Sequence, residues 1–125
     1  MPRFDPTPAG SGPQVRGFAG TQFMVDVGRF DAVLLTPERA MAWAPPARAE
    51  LTLGDLAPLL ELQPAPEFLL FGSGATLARP PRALADALAE RGIGIEVMDS
   101  RSAARTWGVL RAEDRWVAAA LMPLA

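Results

Sequence analysis

The chain contains no cysteine, histidine, tyrosine or lysine, so all twelve of its basic residues are arginine. Without cysteine there is no thiolate nucleophile, disulfide or cysteine-bound zinc, and without lysine there is no Schiff base and no phosphate-loop lysine. Without histidine the chain lacks the most common general base and transition-metal ligand, which excludes Ser-His-Asp and Cys-His catalysis. The composition argues against an enzyme, and we expect no catalytic residue, no metal site and no cofactor.

A basic surface and a long apolar run are also missing. The net charge is -2 at pH 7, so no positive field would attract a polyphosphate backbone, and nucleic acid is not an expected partner. The longest apolar stretch, residues 116–125, is roughly half of what a bilayer-spanning helix needs, and Pro123 interrupts it. We therefore expect a soluble, cytoplasmic protein with no membrane span.

The length and composition favour one domain. The chain has 125 residues, half of them hydrophobic, which suits a single core. Residues 1–13 are rich in proline and glycine and contain no apolar run of the kind that a secretory signal requires. We predict a flexible N-terminal tail over residues 1–13 and a single α/β domain over residues 14–125.

The first half of the chain predicts short strands. Residues 14–18 and 21–27 indicate an N-terminal β-hairpin, because apolar and polar residues alternate in the second segment. A turn is predicted at 28–31 and a third strand at 32–35, whereas residues 41–49 have no stable period and place Trp43 at a strand end or in a loop over the core.

A short helix is predicted from Thr52 to Leu60, shortened or distorted by Pro58. The second half predicts a strand at 67–71, a helix between Pro80-Pro81 and Arg91-Gly92, and a strand at 93–98. Together these form a βαβ unit, whose strands should be parallel.

The last elements are a helix and a strand. Ser100 stands where a helix cap belongs, and the helix should continue to Arg111. Residues 116–121 form the last predicted strand.

Two loops of the βαβ unit are predicted to form the candidate site. A right-handed crossover places the ends of both strands on one edge of the sheet, where α/β proteins usually bind ligands. The candidates for a ligand or partner pocket are Gly72, Ser73, Gly74, Arg79, Asp99, Ser100, Arg101, Arg105 and Trp107.

Each candidate has a plainer explanation. Backbone N–H groups after Ser100, with nearby arginines, could hold a carboxylate or phosphate. The glycines more often mark a tight turn, and Ser73 has no base to activate it. Asp99 is expected to pair with Arg101 or Arg105, and Trp107 suits a core, a pocket wall or an interface.

Four segments carry a resemblance to a known family: residues 70–74, residues 91–100, residues 103–107 and residues 115–121. In their order they resemble a family of domains of unknown function, which includes the mitochondrial complex I assembly factor three and the adipogenesis-associated domain-containing protein. This chain resembles its bacterial members. The resemblance implies a layered α/β domain with a central mixed β-sheet and flanking helices. The chain departs from the family at Trp107-Gly108, where Tyr-Asn is usual, and at Ser100, where Thr is usual.

By this resemblance we expect a non-catalytic accessory or assembly-type domain that binds protein partners, linked to respiratory or membrane-protein complex assembly. An exposed patch with Trp107 or Trp43 would favour that function. One alternative is a small-molecule or anion-binding protein, with weak enzymatic activity, that uses the loops at 72–74 and 99–101. Another is a homo-oligomer in which the strand at 116–121 lies at a sheet edge and pairs with a second copy.

Overall fold

The structure, a computed structural model, describes residues 12–26 and 28–125. Five strands come first, and helices and strands alternate after them, so the α/β class is confirmed. In order they are β1 (Val15–Ala19), β2 (Gln22–Val25), β3 (Gly28–Phe30), β4 (Val33–Leu35), β5 (Ala40–Ala42), α1 (Ala57–Leu60), β6 (Phe68–Gly72), α2 (Arg82–Glu90), β7 (Gly94–Met98), α3 (Ser100–Ala112) and β8 (Ala118–Leu121). Residues 1–11 of the predicted tail lie outside the described residues.

A mixed sheet of five strands forms the centre, in the order β5-β4-β8-β6-β7. Strand β6 runs parallel to both β7 and β8, whereas β4 is antiparallel to both β5 and β8. The predicted βαβ unit is therefore confirmed as β6, α2 and β7. The alternative in which the last strand lies at a sheet edge was wrong, because β8 lies between β4 and β6 and is buried along its whole length.

A second sheet of three antiparallel strands joins β1, β2 and β3. The predicted hairpin is confirmed, but Gly28–Phe30 is a strand where a turn was predicted. Phe30 pairs with Phe23 across the sheet, and a strand of three residues is too short to show a period of its own. For the same reason β5 was missed, although it pairs with β4 over three residues.

The core lies in two layers, one on each face of the central sheet. One layer, which includes Phe23, Leu70 and Trp107, fills the space between this sheet, α3 and the smaller sheet. The other includes Leu69 and Leu88 and lies under α1 and α2. Neighbouring residues of β6 thus enter opposite layers, as the pleat of a strand requires.

The helix predicted from Thr52 to Leu60 begins as a 3₁₀ turn, Leu53–Leu56, and continues as α1. Its start is a capping box, in which the Asp55 carboxylate accepts a hydrogen bond from the Thr52 N–H at 2.8 Å. No helix in the described ranges is long and apolar enough to cross a membrane.

Candidate functional site

The two predicted loops meet beyond the ends of β6 and β7. Ser73 N–H donates to the Met98 carbonyl at 2.8 Å, and Ser100 N–H donates to the Gly74 carbonyl at 2.8 Å. A cleft of about 470 Å³ opens beside the first loop, between the segment 45–48 and the C-terminal residues Met122, Pro123 and Ala125. The meeting of the two loops follows from the handedness of the βαβ unit. The cleft itself is lined by residues 73–76 of the first loop and by no residue of the second, so it is not the crevice predicted between them.

Ser100 joins three segments of the chain at this edge. It is fully buried, and its hydroxyl accepts a hydrogen bond from Gly74 N–H and donates one to the Met122 carbonyl, each at 2.8 Å. Ser100 is the first residue of α3 and not its cap, so the predicted capping role was wrong. Its hydroxyl points inward because the two backbone groups it contacts have no solvent to bond with.

The glycines of the first loop meet two separate requirements. At Gly72 a Cβ atom would lie 2.8 Å from Ser100 Oγ and 2.9 Å from Ser100 Cα, so a side chain there is excluded by close approach. Gly74 has φ of 108°, a conformation that residues with a Cβ rarely adopt. Both residues set the path of the loop.

The Ser73 hydroxyl is directed at the loop itself. Its oxygen lies 2.8 Å from the Thr76 carbonyl and 3.1 Å from the Met98 carbonyl, and it accepts a hydrogen bond from Ala78 N–H at 3.0 Å. These contacts occupy the hydroxyl as donor and as acceptor. The loop from Ser73 to Ala78 is consequently fixed to the end of β7.

Asp99 is the N-cap of α3. Its carboxylate accepts hydrogen bonds from Ser102 Oγ at 2.6 Å and from Ser102 N–H at 3.0 Å. The bond from the Ser102 hydroxyl, followed by that from the Ser102 N–H, lowers the pKa of Asp99 below its usual value, and the charge of Arg105 is a smaller cause. The expected ion pair of Asp99 with Arg101 or Arg105 is thus replaced by a helix cap.

We expect Asp99→Ala to lower the free energy of unfolding by about 1 kcal/mol at pH 7, the usual cost of losing such a cap. Because the folded-state pKa is lowered, the ionised carboxylate contributes stability above the unfolded-state pKa near 3.8, and this is lost as the pH falls through the folded-state pKa. Urea denaturation at pH 7 and pH 3 measures both effects. Asp99→Asn, which retains a cap, is the control, and an equal loss for Asp99→Ala at both pH values would contradict the assignment.

The remaining predicted residues lie elsewhere. The Arg101 guanidinium lies 5.5 Å from the centre of the Phe18 ring, and Arg105 lines a small cavity beside β1. Both arginines therefore face the smaller sheet and not the crevice. The sequence shows that these two arginines, four residues apart, share one face of the helix. It does not show which element that face contacts, because this depends on the tertiary fold.

The tryptophans do not form an exposed patch. Trp107 is fully buried, and its indole N–H donates to the Pro13 carbonyl at 2.9 Å, so this residue cannot touch a partner directly. Trp43 is half-buried, follows β5 and donates to the Asp55 carbonyl at 3.0 Å. Trp107 therefore lies in the core, which was its plainer explanation, and the alternative of an exposed partner patch with Trp107 was wrong because the smaller sheet covers α3 on that side.

A groove of about 510 Å³ beside β7 was not predicted from the sequence, although one residue that lines it, Arg79, was among the candidates. It is lined by Arg79, Arg82, Ile95, Glu96 and Val97, together with Pro80 and Ala85 of the loop and α2. The Arg48 guanidinium donates to the Arg79 carbonyl, which ties the segment 45–48 to the loop before α2. The alternation of Ile95, Glu96 and Val97 was visible in the sequence, but an edge position for this strand was not.

Acidic side chains are scattered over the described residues, and no group of three or more of them could hold a metal ion. The polar groups at the ends of β6 and β7 are bonded mainly to one another, so this edge of the sheet is a rigid framework. Its solvent-facing features are the cleft beside Ser73 and the groove beside β7.

Comparisons with known proteins agree with this fold. Residues 15–122 match the model of a family described as "Protein of unknown function (DUF498/DUF598)". An uncharacterized protein of Rhodobacter capsulatus is 38% identical over 92 residues, which cover 74% of this chain and 68% of that protein. The crystal structure of a Bordetella parapertussis protein superposes with a TM-score of 0.81 at 33% identity, over 93% of this chain and 99% of that one.

A eukaryotic relative carries a functional name. NADH dehydrogenase (ubiquinone) 1 alpha subcomplex assembly factor 3 of Danio rerio is 31% identical over 94 residues, which cover 75% of this chain and 54% of the relative. The chain thus spans about half the length of this assembly factor. The family resemblance predicted from the sequence is confirmed: the chain belongs to the DUF498/DUF598 family of proteins of unknown function, which includes complex I assembly factor homologues.

Proposed function

We propose that this chain is a non-catalytic accessory domain that binds other proteins during the assembly of a respiratory NADH dehydrogenase. The observation that carries the proposal is the internal bonding of Ser73, Asp99 and Ser100, the polar side chains at the usual ligand edge of the sheet. Groups engaged in this way hold a surface in shape and are not free to act on a substrate. The assembly factor name of the Danio rerio relative supports a role with protein partners.

The fixed loop also places an apolar side chain in solvent. Leu77 is 68% exposed, although the residues on either side of it, Thr76 and Ala78, are both hydrogen-bonded to the Ser73 hydroxyl. An exposed leucine on an ordered loop costs little conformational entropy when it is covered by a partner. Leu77 is therefore a suitable position from which to identify that partner by cross-linking.

We expect deletion of the gene in its native host to reduce assembled NADH dehydrogenase to a minor fraction, while its subunits are still synthesised. Native gel electrophoresis with in-gel NADH dehydrogenase activity measures the assembled complex, and another respiratory complex on the same gel is the control. A photo-crosslinking residue at Leu77 should capture a subunit or a second assembly factor, whereas the same residue at Val109, exposed on α3, should not. Unchanged levels of the complex would contradict the proposal.

A second candidate is a small-molecule or anion-binding protein that uses the cleft beside the loop at 72–74. The loop at 99–101, the other half of the predicted site, does not line this cleft. The cleft of about 470 Å³ beside Ser73 favours it, because ligand pockets commonly have volumes of about 300–1,000 Å³. Saturable binding of inorganic phosphate or a small carboxylate, lost on Arg48→Ala, together with normal NADH dehydrogenase in the deletion strain, would favour this candidate over the first.

A further inference from the structure

Strand β7 is an edge of the central sheet. It pairs with β6, in parallel, from Phe68 opposite Gly94 to Gly72 opposite Met98. No strand in the described ranges pairs with its outer side. One row of backbone hydrogen-bonding groups on β7 is consequently left without a strand partner.

The direction of these groups follows from the bonds at the strand end. The Met98 carbonyl accepts from Ser73 N–H, so Met98 directs its backbone groups toward β6. Backbone groups of successive residues in a strand point to opposite sides, so Glu96 also faces β6. The N–H and C=O groups of Ile95 and Val97 therefore point outward, where an added strand would bond to them.

The groove beside this edge offers apolar surface. Ile95 and Val97 are half-buried and pack against the core layer under α2, so their side chains lie on the α2 face of the sheet. The groove of about 510 Å³ runs between them and the first turn of α2. A side chain of an added strand on this face would cover the exposed parts of Ile95 and Val97.

The groove is positively charged at one end. Arg79 and Arg82 are exposed, and neither forms an ion pair with a carboxylate in the described part of the chain. Helix α2 connects parallel strands and so runs opposite to them, which places its beginning near the Val97 end of β7. An acidic side chain of the added strand would therefore be favoured beyond Val97 and disfavoured beside Glu96.

A second copy of this chain is a poorer occupant. Antiparallel self-pairing that uses all five residues of β7 would place Glu96 directly opposite Glu96 of the other copy. Like charges at opposed positions of a strand pair are destabilising. A strand from another protein meets no such repulsion. The pairing of β7 with β6 is regular and has no bulge that would twist the outer edge of β7 away from that strand.

We propose that β7 binds an extended segment of a partner protein as a sixth strand of the central sheet. The segment carries apolar side chains opposite Ile95 and Val97 and an acidic side chain that reaches Arg79 and Arg82. Main-chain hydrogen bonds to Ile95 and Val97 provide affinity, and the arginines select the acidic end. This inference rests on the proposed function, because it assigns the surface through which the domain would hold an assembly partner.

The test uses the ¹⁵N-labelled full chain and a nine-residue peptide of alternating valine and threonine with two aspartates at one end. Amide hydrogen exchange is followed by NMR up to about 1 mM peptide, which is a tenfold excess over a Kd of about 0.1 mM; a Kd of about 1 mM would slow exchange about twofold. Exchange at Ile95 and Val97 should slow about tenfold when the free peptide exceeds its Kd about tenfold, because only the unbound edge exchanges. The exchange rates of the Glu96 and Met98 amides should not change, because these amides already point toward β6.

Charge reversal tests the selectivity. Arg79→Glu with Arg82→Glu should abolish the protection by the aspartate peptide, and a peptide with lysines in place of the aspartates should restore it. Arg91→Glu, at the other end of α2, is the matched control and should leave the protection unchanged. The exposed positions of these arginines leave the core intact, which the NMR spectrum of each variant checks.

Two outcomes would overturn the proposal. One is unchanged exchange at Ile95 and Val97 with the peptide at about 1 mM. The other is protection of these amides that depends on protein concentration without peptide, which would identify a second copy as the occupant.

If the edge fails this test while the deletion strain lacks assembled NADH dehydrogenase, the proposed function stands and partner binding lies on another surface. If the edge binds the peptide and the deletion strain is normal, only the proposed function fails.

Discussion

Replacing Trp107 with alanine is expected to lower the free energy of unfolding by about 4 kcal/mol, within the usual cost of removing a buried tryptophan. The Trp107 side chain has no solvent exposure and packs with Phe23, Val25 and Ala103 between α3 and the smaller sheet. Its truncation would open a cavity and leave the Pro13 carbonyl without the indole donor. Such a loss is a large fraction of the stability of a domain of this size.

Urea denaturation of Trp107→Ala and Trp107→Phe separates packing from hydrogen bonding. The phenylalanine variant retains most of the ring volume but loses the bond to Pro13, so its loss should be about half as large. Val109→Ala, on the exposed side of the same helix, is the control and should change stability by less than about 0.5 kcal/mol. A loss of less than about 1 kcal/mol for Trp107→Ala would contradict the core assignment.

The elements that the sequence predicts well are those with a strong local signal. Strand β6 is an apolar run that ends at Gly72, and β7 begins at Gly94 with apolar residues on either side of Glu96. Helix α2 begins after two prolines and ends just before Arg91-Gly92. Periodicity and connection length suffice to establish a parallel βαβ unit from such segments. The mixed character of the sheet came from the family resemblance.

Elements that depend on distant partners are not predictable in this way. Strands β3 and β5 have three residues each and exist because β2 and β4 bind them. The central position of β8 could not be read from its sequence, since an apolar run fits an edge strand in a dimer as well as a strand buried on both faces. Strand order is a property of the assembled core.

The candidate site shows the same division. Handedness predicts that the loops at Gly72 and Asp99 meet, but not that Arg101 faces Phe18 or that Trp107 is covered. The Asp99 cap did have a signal, because aspartate is strongly preferred at the N-cap, where its side chain accepts a hydrogen bond from the N–H of the N2 or N3 residue. The groove beside β7 had no such signal in the sequence, because a strand lies at the edge of a sheet only when no further strand pairs with it.

The second large effect is expected at Gly72, whose replacement with alanine should lower the free energy of unfolding by about 3 kcal/mol, at the upper end for an overpacked core. The added Cβ would lie 2.9 Å from both Ser100 Cα and Leu121 Cδ2, and at least the first of these atoms belongs to backbone that cannot turn away. Moving α3 to relieve the contact would stretch the bonds of the Ser100 hydroxyl to Gly74 and Met122.

Gly17→Ala is the matched control for Gly72→Ala, because it lies in a strand and a Cβ there would meet no atom within 4 Å. It should be neutral or slightly stabilising, since alanine restricts the unfolded chain. Ser100→Ala should cost about 2 kcal/mol by leaving two buried backbone groups unpaired. The double variant should cost less than the sum of the two single losses, because both changes disturb one contact. Additive losses in urea denaturation would show that Gly72 and Ser100 act independently, and the loops at the ends of β6 and β7 would then not form a single rigid framework.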